Sequence, residues 1–146
     1  MKTRLAFALA LLVSACASQR PEPGLPPPSP YPLSGPAHAE SPAIASLMNS
    51  ARADTSAGKL PNAAASLERA LRIEPRNPRL WQELSRVRLL QRDYVQAESC
   101  AQRSSSWAGG DALLVADNWR LIAQSREARG DSEGARAALD AAARQR

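Results

Sequence analysis

Pro75-Arg76-Asn77-Pro78-Arg79-Leu80-Trp81-Gln82-Glu83-Leu84-Ser85, followed by Arg92-Asp93-Tyr94 and Ala97, is the stretch whose reading decides this fold. A proline fixes φ and brings no amide donor, so it breaks a helix interior but is harmless in a first turn. Pro75 therefore ends one helix and Pro78 opens another, led by Trp81. Arg92-Asp93 marks a tight turn, and the helix after it carries Ala97. The stretch is one helical hairpin with the end of its predecessor attached.

The same skeleton recurs on both sides. Leu47 lies 34 residues before Trp81, and in that register Ala51 matches Ser85, Gly58 matches Arg92, Ala63 matches Ala97 and Ile73 matches Trp107. Trp119 lies 38 residues after Trp81, and there Leu84 meets Ile122, Ser85 meets Ala123, Arg92-Asp93 meets Gly130-Asp131 and Ala97 meets Ala135. Small residues at these recurring places let two helices approach closely. The four extra residues fall near Trp107 to Asp111. They amount to about one helical turn, so they lengthen the third repeat's first helix without rotating its apolar face, with Gly109 and Gly110 as a break and Asp111 as N-cap.

This pattern resembles the tetratricopeptide repeat, with its 34-residue period, early Trp, small residues and terminal Pro. The expected fold class is all-α: three tetratricopeptide-like hairpins, about 44–77, 78–111 and 116–146, in a domain spanning 41–146. Six helices are expected, near Pro42–Ala57, Pro61–Glu74, Pro78–Leu90, Tyr94–Ser106, Ala112–Arg129 and Ser132–Gln145. One departure is plain: where the family places a tyrosine late in the first helix, this chain has Asp54, Arg88 and Arg126. The resemblance implies a groove lined by the first helices. The residues at its positions are Met48 and Arg52, then Arg79, Gln82, Arg86 and Leu89, then Arg120, Gln124 and Glu127. That is a basic, amide-bearing strip suited to an acidic or extended peptide, with Arg52, Arg79, Gln82, Arg86, Arg120 and Gln124 as its binding residues. Trp107, in register with Ile73, is expected to pack between repeats; the alternative is an exposed anchor for a partner.

Ahead of the repeats the chain is a different polymer. Lys2 and Arg4 precede an apolar run from Leu5 to Val13, the order of a secretory signal. The run is shorter than the roughly 20 residues a spanning helix needs. It ends in Val13-Ser14-Ala15-Cys16, which resembles the bacterial lipobox. The resemblance implies removal of residues 1–15, lipidation of Cys16 and, with Ala17 following, sorting to the outer membrane, facing the periplasm. Several acyl chains on one cysteine suffice for stable anchoring. Nine of the twelve prolines lie between Pro21 and Pro42, so residues 16–40 are expected to form a disordered, extended tether reaching up to roughly 70 Å at about 3.1 Å per residue.

The chain has 146 residues and a formal charge of +5, which falls to +3 without Lys2 and Arg4. Nothing in it has the pattern of catalytic chemistry. Its single histidine, His38, lies in the tether, and no Cys/His cluster at metal spacing or Gly-rich phosphate loop is present. The reading is therefore a non-enzyme with no metal and no cofactor. Arginine-rich surfaces suit nucleic acid, but a secreted lipoprotein does not routinely meet it; the partner that the resemblance to tetratricopeptide repeats implies is a protein. Cys100, on a helix stripe with Tyr94, Ala97, Ala101 and Ser104, reads as a small buried hydrophobe; the alternative is an intermolecular disulfide.

Anchor, tether and a minimal three-repeat domain together resemble the LpoP-type lipoprotein activators of class A penicillin-binding proteins. That resemblance implies docking on a peptidoglycan synthase, with the repeats supplying contact surface only. The alternative is a pilotin-like or outer-membrane assembly lipoprotein acting as a scaffold.

Overall fold

The computed structural model describes residues 41–145, and the leader, Cys16 and the proline-rich tether lie outside them. The described residues form six helices: α1 (Pro42–Ser56), α2 (Leu60–Ile73), α3 (Pro78–Leu90), α4 (Tyr94–Ser106), α5 (Ala112–Glu127) and α6 (Ser132–Ala143). These match the expected spans to within one or two residues at each end. None is long and apolar enough to cross a membrane.

Local chemistry sets the helix starts. Prolines occupy the first turns of α1, α2 and α3. At α3 the Asn77 Oδ1 also accepts from the amides of Arg79 (3.0 Å) and Leu80 (3.3 Å). Asp93, Asp111 and Asp131 cap α4, α5 and α6 in the same way, satisfying donors that the helix leaves unpaired. Asp111 opens α5 one turn earlier relative to Trp119 than Asn77 opens α3 relative to Trp81. The four extra residues thus became a helical turn, as expected, with Gly109 and Gly110 in the left-handed region before it.

The three hairpin turns are built identically. A left-handed residue stands two or three positions past the end of each first helix: Gly58 (φ 71°), Arg92 (φ 63°) and Gly130 (φ 82°). The next amides, of Lys59, Asp93 and Asp131, donate back to the carbonyls of Asp54, Arg88 and Arg126 at 2.8, 2.9 and 3.0 Å, the pattern of a Schellman close. Arg92 is the one non-glycine with positive φ among the described residues. A left-handed L-residue costs about 1–2 kcal/mol, part of which glycine returns as unfolded-state entropy. Arg92→Gly should therefore raise stability by about 0.5–1 kcal/mol, read as a higher urea midpoint with an unchanged slope.

Each helix packs on the next, and α3 also touches α5. Ile44, Leu67, Leu80 and Ile122 are fully enclosed. The small residues sit where helices meet: Ala51, Ala63, Ala97, Ala123 and Ala135 are buried, and the Ser85 hydroxyl donates to the Ala97 carbonyl at 2.7 Å. The arginines standing at the family's tyrosine position join adjacent repeats by charge instead. Arg88 of α3 reaches back to Glu68 of α2 at 2.5 Å. Arg126 of α5 binds Glu98 of α4 through Nε and Nη2 at 2.9 and 2.6 Å, and Arg129 takes the other Glu98 oxygen at 2.6 Å. Glu98 is mostly buried, and a charge in such a place persists when it is both paired and hydrogen-bonded.

The junction between α3, α4 and α5 carries a buried polar network. Asn118 has no exposed surface, and its Nδ2 donates to the Ser104 and Ser105 hydroxyls at 2.7 and 3.1 Å. Its Oδ1 accepts from Gln82 Nε2 at 3.0 Å, while Ser104 Oγ donates to the Pro78 carbonyl at 2.8 Å. Among the described residues no buried side-chain polar atom lacks a partner.

Candidate partner-binding groove

The first helices of the three hairpins, α1, α3 and α5, supply a continuous strip of surface. Arg52 and Thr55 of α1 face Glu83, Arg86 and Leu90 of α3 across a depression of about 430 Å³. Arg86 and Leu90 also border a second one, about 390 Å³, with Asp117, Arg120 and Gln124 of α5. Gln124 continues into a third of about 490 Å³, floored by Ala123 and Ala135 and edged by Leu139. Arg52, Arg86, Arg120 and Gln124 are therefore brought together on one strip.

Two of the expected binding residues are placed elsewhere. Gln82 is only 7% exposed and its amide is spent on Asn118. It belongs to the interior because its helix position faces α5 at the point where a polar partner waits. Arg79, in the first turn of α3, borders a separate depression with Glu74, Arg76 and Trp107. Met48, also expected to face the groove, is largely buried but still lines the first depression.

The charge of the strip also differs from expectation. Arg86 pairs with Glu83 three residues earlier at 3.4 Å, and Arg120 pairs with Asp117 at the same spacing. Glu127 lies farther along. Cations and carboxylates alternate, so the strip is close to neutral rather than basic. Such exposed pairs contribute little to stability, which leaves both members free to exchange partners. Leu90, 56% exposed, stands between the first two depressions. Sequence reasoning passed over it, although the doublet Leu89-Leu90 holds a residue more than a single apolar stripe needs.

Cys100 is 5% exposed, and burial pushes its thiol up to about 11, against the opposing pull of Arg88 and Arg103. A protonated, enclosed thiol is a poor nucleophile. At pH 9, where an ordinary thiol is half ionised, labelling of Cys100 should be slow until urea unfolds the domain. The sign follows from the raised value: this group's contribution to stability is intact below pH 9 and is lost as the pH climbs through about 11. Non-reducing electrophoresis should accordingly show no Cys100-dependent dimer.

Among the described residues no three His, Cys, Asp or Glu side chains converge as metal ligands would. Residues 55–116 match a family model described as tetratricopeptide repeat. A search of curated protein sequences found no match. Among solved structures, the globular C-terminal domain of P. aeruginosa LpoP is similar with a TM-score of 0.69 and 45% sequence identity, over 70% of this chain and 97% of that one. The identity holds across nearly the whole of a domain solved by itself, so with the three matching hairpins the chain belongs to the LpoP family of tetratricopeptide repeat proteins.

Proposed function

We propose that this protein is anchored through Cys16 to the outer membrane, faces the periplasm, and docks on a class A penicillin-binding protein to activate it. The observation that carries this reading is the 45% identity across nearly all of the LpoP globular domain. The sequence at Val13-Ser14-Ala15-Cys16, followed by a proline-rich stretch long enough to carry the repeats away from a membrane, supports the location. The partner meets the strip from Arg52 to Gln124. The repeats bring no reacting group to the synthase. Activation is a shift of its conformational equilibrium, which requires the docked domain to bind the more active state with the higher affinity.

The test is direct. Addition of the domain from residue 40 onward to a purified class A synthase with lipid-linked substrate should speed both glycan polymerisation and peptide crosslinking. Absence of binding together with an unchanged rate would overturn the reading. Membrane location is checked separately: Cys16→Ala should move the protein from the outer-membrane fraction to the soluble periplasm.

A further inference from the structure

A second surface lies away from the strip, where the α2–α3 connection meets the end of α4. Its depression, about 680 Å³, is lined by Pro75, Pro78, Arg76, Arg79, Glu74 and Trp107. Trp107 is 44% exposed, although it stands in register with Ile73 and was expected to pack between repeats. Ile73 ends α2 and Trp107 directly follows α4, and both face solvent there; Ile73 is 54% exposed. The neighbouring tryptophan on this side, Trp81, is partly buried against the core and has a structural role. Trp81 donates its Nε1–H to the Pro75 carbonyl at 2.8 Å and is covered by Arg103 at 4.9 Å.

Trp107 has no such hydrogen bond. Its ring is covered by the Arg76 guanidinium at 5.0 Å. Stacking engages the face of a guanidinium and leaves its in-plane N–H donors free for a forked contact with a carboxylate. Among the described residues the ion-paired arginines are Arg86, Arg88, Arg120, Arg126 and Arg129, so Arg76 and Arg79 are both uncommitted. Glu74, the one carboxylate in the lining, accepts from Asn77 Nδ2 at 2.7 Å. Two free arginines against one engaged glutamate leave the site cationic. The rings of Pro75, Pro78 and Trp107 make its apolar walls.

From this arrangement we infer that the Trp107 corner is a second docking site, for an acidic protein segment that carries a flat apolar residue between its carboxylates. Tryptophan and arginine are the side chains that most often dominate such contacts. The carboxylates engage Arg76 and Arg79, and a proline or aromatic ring lies against the indole and the proline walls, as extended proline-bearing segments do on aromatic surfaces. The concave shape fits an inserted segment. An anionic membrane favours a row of basic residues, each worth about 1 kcal/mol, and only two are free here. The site shares no residue with the strip between α1 and α5, so it stands whether or not that strip binds a synthase.

The probe is a fluorescently labelled synthetic peptide of alternating glutamate and proline, titrated with the domain from residue 40 onward at low salt. Saturable binding is expected, weakened at least about tenfold by Trp107→Ala and by Arg76→Glu/Arg79→Glu, the scale on which dominant contact residues act. Arg86→Glu/Arg120→Glu, on the strip, should leave it within about twofold. All five side chains are partly or largely exposed, and circular dichroism should show that each variant keeps its helices. Absence of saturable binding overturns the inference, as does binding that the strip variant weakens and the corner variants do not. Binding to anionic phosphatidylglycerol vesicles through Arg76 and Arg79, with none to the peptide, overturns it in favour of a membrane contact.

Discussion

Asn118→Ala should destabilise the domain by about 3 kcal/mol, which for a domain of this size lowers Tm by roughly 15 °C. Asn118 is fully buried and joins three helices: its amide reaches Ser104 and Ser105 on α4, and its carbonyl receives Gln82 from α3. Truncation leaves the Gln82 amide buried without an acceptor, at about 1–3 kcal/mol for a stranded polar group, and opens a void beside it. The serine hydroxyls suffer less because they rotate to other acceptors; Ser104 already donates to Pro78. Asn118→Leu restores the aliphatic side chain that Leu80 supplies at the matching place one repeat earlier, but it still strands Gln82. That variant should lose about half as much, and Gln82→Leu/Asn118→Leu should recover most of the remainder, because removing both partners of a buried pair costs less than removing one. Stability in stacked repeats is a sum of unit and neighbour terms. Hydrogen exchange in Asn118→Ala should therefore quicken in α5 and α6 before it quickens in α1 and α2. A loss below about 0.5 kcal/mol would place the network outside the stability of the domain.

The same network shows which parts of the molecule were legible in the sequence. The repeat was legible because its signals are local or periodic: prolines at helix starts, small residues at close approaches, and a turn residue matched at Gly58, Arg92 and Gly130. The insertion before Trp119 was legible too, since four residues preserve the face of a helix. Gln82 was misplaced because its burial depends on Asn118, and that pairing is neither local nor periodic. Asn118 occupies the place of Leu80, so an apolar pattern predicts no polar partner there. The packing expected of Trp107, preferred to an exposed anchor, failed in another way. The register of Trp107 with Ile73 was right, but the position itself is open to solvent in both repeats. The charge of the strip was misjudged because arginines were counted along it without Glu83 and Asp117, which lie one turn before Arg86 and Arg120 and pair with them.

Reversing Arg86 and Arg120 together, as Arg86→Glu/Arg120→Glu, should weaken the proposed docking on a class A synthase by at least about tenfold while leaving the helices intact. Each reversal sets a carboxylate three residues from Glu83 or Asp117, and like charges at that spacing cost an exposed helix only about 0.2–0.5 kcal/mol. The fold therefore survives. The surface offered to the partner changes much more, because the middle of the strip passes from alternating charge to a block of four carboxylates. Like-charge juxtaposition across an interface acts on both encounter and retention, so the loss should grow at low salt and shrink as salt screens it. Leu90→Ser removes the apolar ridge shared by the first two depressions without altering charge. Its effect should be similar in direction and insensitive to salt. Arg69→Glu/Arg136→Glu makes the same change in net charge at exposed positions on the second helices, α2 and α6, and should bind as the parent does. If the two double reversals weaken docking equally, net charge alone accounts for the loss and the strip is not the contact. If Leu90→Ser is silent while Arg86→Glu/Arg120→Glu is not, the partner is held at the charged rows and the ridge between them lies outside the contact.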